Sequence, residues 1–275
     1  MALICLLIAL FAVALVRFAP GFGADELSLD PRWSEQSRAA HSAQANRGLM
    51  ELYWLYLKGA ARGELGVSTS LGAPVAELLA ERIPVTARLV GEGLLASWIL
   101  AVSAALLLVR WPAAMADIPA ALLTGLLLCL PAALIALGCV LAGAPARLAL
   151  AAIVFPKLFR YCRDVLRHLA DAPHVLAARA RGLPDGRIVL CHIFPAALPQ
   201  LFALGGISVS MAIGAAVPVE AFCEWPGIGQ LVWKAALGRD LPVLVNLTMV
   251  VAVVTLCANA MADAAVRFWG QAGTT

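Results

Sequence analysis

Two stretches of this chain, Leu198 to Val219 and Leu241 to Ala262, pass without a charged residue. Crossing about 30 Å of hydrocarbon takes roughly 20 consecutive apolar residues, so each stretch is long enough to span a bilayer. The remainder is in keeping with this: 62% of the residues are hydrophobic and 13% charged, with a mean hydropathy of +0.89. Soluble domains lie nearer half apolar and a quarter charged. Backbone polar groups in hydrocarbon must pair within the chain, and the alternation of a β-barrel strand is absent, so the spans are expected to be helices. The chain reads as an all-α integral membrane protein.

Reading outward from those two runs gives about six spans. The first apolar run, Ala2 to Val16, lacks the basic region of a secretory signal, and reads as a retained helix within residues 1–19. Residues 20–85 are polar and mixed, with Asp25, Glu26, Asp30, Glu35, Glu51, Glu64, Glu77 and Glu81, and read as a water-facing segment. Inside it Leu49, Leu52, Tyr53, Leu55, Tyr56 and Leu57 recur at helical spacing, which predicts a surface helix. Pro84 and Thr86 open a second span at about 87–109, stopped by Arg110, Trp111 and Pro112. The third, about 117–142, contains Pro119 and Pro131, and Pro131 predicts a kink. In the fourth, about 147–165, Lys157, Arg160 and Arg163 enter early, so its last turns are expected to emerge into water. Spans at about 197–219 and 241–264 complete a transmembrane core over residues 86–275.

Orientation follows from the bases. Lys157, Arg160, Arg163, Arg167, Arg179, Arg181 and Arg187 crowd the connection between the fourth and fifth spans, against Asp164, Asp171 and Asp185. That connection, about 166–196, is expected to be cytoplasmic, as are both termini, with residues 20–85 and 220–240 on the periplasmic side. The net charge of +3 implies no nucleic-acid partner. The seven cysteines are isolated, without a Cys-x-x-Cys pair, and imply neither a disulfide framework nor a metal. His168, His174 and His192 are too widely spaced along the basic connection to share one helix face, so no metal site, cofactor or catalytic group is assigned.

Within the basic connection, Gly182 is a natural helix breaker and Pro184 with Asp185 suits the first turn of another helix, which predicts helix, tight turn, helix. Ala177, Ala178 and Ala180 keep the first arm thin enough for a groove on another protein. "LAARARG" followed by "HIFPAALP" resembles the EAA loop of binding-protein-dependent ABC transporter permeases, with Ala177, Ala178, Gly182 and Pro195 at the recurring places and Leu176 where many members carry glutamate. Other segments are similar, in the same order, to the first-subunit (B) branch of dipeptide, oligopeptide and nickel permeases. These are "VRFAPG" from Val16, "GELGVS" from Gly63, "PVAELLAERIPVTARL" from Pro74, "VEAFCEWPGIGQLV" from Val219, "RDLPVL" from Arg239, and Asn259 with Asp263.

The resemblance implies a permease of an ABC importer in the bacterial inner membrane. It would pair with a second permease subunit, seat its coupling loop on separate ATPase subunits, and receive peptides or nickel chelates from a periplasmic or lipid-anchored binding protein. The coupling residues implied are Ala177, Ala178, Arg179, Arg181, Gly182, His192 and Pro195, and the periplasmic loop motif is Glu220, Trp225, Pro226, Gly227, Gly229, Arg239 and Asp240. A phosphate-cradling Gly-x4-Gly-Lys-Ser/Thr motif is absent from the chain, so ATP hydrolysis is expected in the ATPase subunits. Glu92 is read from the residues alone as a candidate for the translocation path, because a carboxylate near the hydrocarbon must be paired or wetted. Glu220, Glu224 and Asp240 read either as contacts for a cationic partner or as part of a structural turn. Two other classes remain open at this point: a membrane-embedded enzyme, and a membrane assembly protein that transports nothing.

Overall fold

The computed structural model describes Leu7, Leu10, Phe11, Val13 and Ala14, and residues 48–68, 70–109, 113–238 and 240–272. The expected first span, 1–19, and most of the polar segment after it thus lie outside the described residues, as does Arg239. In chain order the helices are α1 (Leu49–Arg62), α2 (Val75–Val109), α3 (Ala113–Cys129), α4 (Ala132–Leu141), α5 (Ala146–Ala170), α6 (Pro173–Ala180), α7 (Asp185–Ile188), a π-helical turn (Val189–Ile193), α8 (Phe194–Phe222), α9 (Ile228–Leu237) and α10 (Leu241–Ala272). The chain divides into two compact units. The first holds Met1–Ala87 with Pro226–Leu256, and the second Arg88–Trp225 with Cys257–Thr275.

Among the described residues three helices are long and apolar enough to cross a membrane: Val75–Val109, Asp185–Phe222 and Leu241–Arg267. Ile118–Cys129 and Ala132–Leu141 qualify together as a fourth, bent by 94°. The bend falls at Pro131, where the third span was expected to kink, and it breaks the helix instead, because Pro131 is extended (φ −57°, ψ 139°) and starts α4. The expected six spans are therefore not all seen. The fourth expectation, 147–165, is helical within α5, but it is amphipathic: Leu150, Val154, Leu158, Cys162 and Leu166 are fully buried at four-residue spacing, while Lys157, Arg160 and Asp164 are exposed on the other face.

The second helix also begins earlier than its prolines suggest. It starts at Val75, whose side chain is fully buried, and Pro84 lies inside it. At 35 residues it is about 50 Å long, more than hydrocarbon needs. Its charges (Glu77, Glu81, Arg82, Arg88 and Glu92) all precede Gly93, so the apolar half is Gly93–Val109. Thr86, expected to open a helix, instead accepts a 2.7 Å hydrogen bond from the Ile228 N–H, an orphan donor at the start of α9.

The first unit is organised around one small core in which Val75 and Leu79 of α2 meet Leu231 and Ala235 of α9 and Val243 and Leu247 of α10. The surface helix expected from the apolar spacing is α1; of that stripe only Tyr53 has a described side chain, half-buried beside the exposed Trp54.

The core of the second unit is larger. A stripe of small residues on α2, Gly93, Ser97, Ala101 and Ala105, is buried, and it lets α5 approach closely. A Cβ on Gly93 would lie 2.6 Å from Leu150 Cδ2, and the Ser97 hydroxyl donates to Gly93 O at 2.8 Å and to Ala151 O at 3.2 Å. The two helices run parallel: the α2 residues 92–97 meet the start of α5, and the Arg167 guanidinium near its end reaches Leu108 O at 3.4 Å. On the other side α8 packs along α5 and α4. Gly206 is where α8 and α10 cross, since a Cβ there would lie 2.8 Å from Ala262 Cβ and 3.0 Å from Asn259 Oδ1.

Candidate functional site: a basic hairpin and a buried carboxylate

The basic connection is built from the end of α5 onward. Asp171 and Ala172 break the helix, and α6 follows with Pro173 in its first turn. Val175 and Ala178 are fully buried, whereas Leu176, Ala177, Arg179 and Ala180 are exposed. Gly182 ends α6 in the left-handed region at φ +75°. Its N–H donates to Arg179 O at 2.9 Å and that of Leu183 donates to Ala178 O at 3.4 Å, the bond pair of a Schellman turn. Leu183 packs on the same core as Ala178, the apolar contact that accompanies this turn. Pro184 then starts α7, with Asp185 at its positive end.

The second arm is continuous with a span, since Asp185–Phe222 runs as one helix of 38 residues through the π-helical turn. Ile188, Val189 and Ile193 bury one side of this arm, while Leu190, Cys191 and Pro195 are exposed. His192 is half-buried in the π-turn, and its Nδ1 is buried without a hydrogen-bond partner among the described residues. Arg181 folds back, Nε donating to Ala177 O at 3.2 Å. Of the residues read as a docking face, Ala177, Arg179, Arg181, Gly182 and Pro195 are thus exposed together, whereas Ala178 faces the hairpin's own core and holds it together. His168 and His174 are exposed on α5 and α6.

At the other motif the structure brings together residues 172 positions apart. Asp240 is fully buried in the first unit. Its Oδ2 accepts from Ser68 Oγ at 2.5 Å, Ser70 N at 3.0 Å and Ser70 Oγ at 2.7 Å, and its Oδ1 accepts from Val243 N at 3.3 Å. Asn246, one turn into α10, donates to Leu65 O at 2.9 Å and to Pro242 O at 2.8 Å. The loop that these groups clamp turns at Gly63 (φ +76°), Gly66 (φ +78°) and Gly72 (φ +66°), and is closed by the Val67 and Pro74 bridge. The "GELGVS" loop and Asp240 at the start of α10 are therefore two halves of one latch, and the Asp240 carboxylate is fully engaged by it.

The remaining acids separate. Glu220 is fully buried in the last turn of α8, and its carbonyl accepts from Trp225 N at 2.9 Å. Glu224 occupies the positive-φ position of that turn (φ +51°) and Trp225 stays partly exposed. Gly227 is the N-cap of α9 and Gly229 is buried within it. Glu92 bridges two arginines, with Arg88 Nε at 2.9 Å and Arg147 Nη1 at 3.5 Å. The Arg88 partner is legible as i,i+4 spacing and Ser68 as the last residue of "GELGVS", whereas Arg147 and Ser70 carry no local signal.

Residues 93–271 match the family described as "Binding-protein-dependent transport system inner membrane component". The oligopeptide transport system permease protein AppB of Bacillus subtilis (strain 168) is 32% identical over 106 residues, 38% of this chain and 34% of that protein. The di/tripeptide transport system permease protein DppB of Pseudomonas aeruginosa (strain UCBPP-PA14) is 31% identical over 114 residues, 42% of this chain and 34% of that one. The match to the oligopeptide transport system permease protein OppB of Escherichia coli (strain K12) is longer, 28% identical over 263 residues, 86% of this chain and 84% of OppB. The matched stretch thus spans about a third of the first two relatives and most of the third. With described residues that are almost entirely helical, several helices fit to cross a membrane and a family match reaching from the apolar half of α2 to near the end of α10, the chain belongs to the inner membrane components of binding-protein-dependent transport systems.

Proposed function

We propose that the chain is one permease subunit of an ATP-driven importer of peptides, working with a second permease, separate ATPase subunits and a binding protein that delivers cargo. The observation that carries this reading is the family match over residues 93–271, which includes both arms of the basic hairpin. Peptide cargo is taken from the names of the relatives matched. The hairpin supplies the mechanical element. Its exposed face (Leu176, Ala177, Arg179, Ala180, Arg181) is small in the middle and basic at the edge, a shape suited to a groove on an ATPase. The Schellman turn fixes the angle between its arms, and the second arm is the same helix as a span, so a push on the hairpin travels along Asp185–Phe222 without a flexible joint. The basic end is cytoplasmic in this reading. The start of α5 and the end of α8 then face outward.

Gly182 offers the test. No atom lies within 4 Å of a Cβ built there, so Gly182→Val meets no clash, only the left-handed φ, which costs a side chain about 1–2 kcal/mol. The expected result is a folded protein that loses both co-purification of its ATPases and ATP-dependent peptide uptake into proteoliposomes. Unchanged ATPase association together with unchanged uptake would show that the hairpin is not the coupling element.

A further inference from the structure

At the end of the second unit opposite the hairpin is a cavity of about 210 Å³, lined by Arg88, Glu92, Pro145, Arg147 and Trp225 among others. All of these residues belong to the same compact unit. Its chemistry is lopsided. Glu92 supplies the carboxylate, and takes one N–H from each arginine: Arg88 Nε at 2.9 Å and Arg147 Nη1 at 3.5 Å. The other N–H groups of both guanidiniums and the indole N–H of Trp225 have no partner among the described residues. Two cations against one anion leave one net positive charge at the cavity's mouth, on guanidinium side chains that are 78% and 58% exposed. Leu89 and the Trp225 ring supply apolar wall beside these donors. The uncapped start of α5 at Pro145 turns its positive end to the same side.

We infer that this cavity is a binding site for one carboxylate carried on an apolar stem. Guanidinium N–H pairs match a carboxylate in geometry and charge. A cavity of about 210 Å³ is smaller than the roughly 300–1,000 Å³ of sites that enclose whole small molecules, so it receives an end group rather than a complete cargo. Glu92 then has a definite job: it holds Arg88, one turn before it, and Arg147, 55 residues after it, in one place, and it competes with the incoming carboxylate for them. The inference rests on the importer reading for its sidedness, which puts the cavity on the face where cargo arrives. Two sources of the carboxylate fit, the C-terminus of a peptide cargo and an acidic side chain of the delivering protein.

The experiment titrates the full-length purified chain in lipid nanodiscs, by calorimetry, with three probes: trialanine, trialanine amide and N-acetyl-glutamate amide. Saturable binding is expected for a probe bearing a carboxylate and none for trialanine amide. Binding of trialanine alone assigns the site to the cargo terminus, and binding of N-acetyl-glutamate amide assigns it to an acidic side chain. Arg147→Gln should weaken that binding by about tenfold or more, and Glu92→Gln, which removes the internal competitor, should strengthen it several-fold. A purely structural ion network predicts no such gain. The inference is overturned if neither carboxylate probe binds, if the amide binds equally well, or if Glu92→Gln leaves the affinity unchanged or lowers it. Binding is read without ATP or transport, so its failure leaves the importer reading intact, and a chain that binds but does not transport would sink only the latter.

Discussion

Asp240 and the hairpin arginines show two ways of placing charge beside a membrane span. The Asp240 carboxylate has no exposed surface, and four donors surround it, three of them from the Ser68 and Ser70 loop. Arg179, Arg181 and Arg187 are exposed, and the hydrogen bond that Arg181 makes runs back to the arm that carries it, Nε to Ala177 O. A charge that has been desolvated must be matched by its own chain, and once matched it has nothing left to offer a partner. A charge left in water keeps its donors. The difference assigns the first region to folding and leaves the second available for docking.

The comparison is broken most directly at Asp240. Asp240→Ala leaves the Ser68 hydroxyl, itself 1% exposed, and the Ser70 N–H without their acceptor. Hydrogen bonds to a charged group are each worth about 1.5–3 kcal/mol and are not additive, so a loss of about 3–5 kcal/mol is expected. Thermal unfolding of the purified chain should show it, and limited proteolysis should cut first between Gly63 and Pro74. A variant that melts like the parent and resists cleavage there would mean that Asp240 is not a latch.

How much of this could be read beforehand depends on the range of the interaction. Gly182, Pro184 and Asp185 act within one turn of chain, and the Schellman bonds form where those residue types sit. The latch was visible only as two separate motifs, because nothing in "GELGVS" names a partner 172 residues away. Pro84 and Thr86 misled for a related reason. They look like the start of a helix, yet Val75 and Leu79 gain a core from α9 and α10, and burial of that apolar face outweighs the local signal and carries the helix back to Val75. Ala177 and Ala178 are adjacent and chemically identical, and only the packing of α6 against α7 and the π-helical turn, where Ile188 and Val189 are buried, decides which of them points outward.

Close packing in the second unit gives an intermediate effect. Gly206→Leu would force side-chain atoms into Ala262 and Asn259, and overpacking of that kind costs about 1–3 kcal/mol. Gly205→Leu is the control, since no atom lies within 4 Å of a Cβ at Gly205. The expected outcome is a lowered melting temperature for the first and little change for the second. Equal behaviour of the two would remove the α8 and α10 crossing from the account.

The smallest effect on stability should accompany the sharpest test of the hairpin. Ala177→Glu places a carboxylate at an exposed position, and surface changes of this kind usually stay within about ±0.5 kcal/mol. Ala178→Glu, one residue on, would bury that same carboxylate against a fully enclosed core and should unfold the hairpin. If the exposed face is what an ATPase receives, Ala177→Glu keeps the parent melting temperature while ATPase co-purification falls, because bulk and negative charge now occupy the middle of a small, basic surface. Ala178→Glu loses both together. Retained association in the folded Ala177→Glu variant would place the contact elsewhere on the hairpin, and the exposed Leu190 and Cys191 of the second arm would then be the surface to change next.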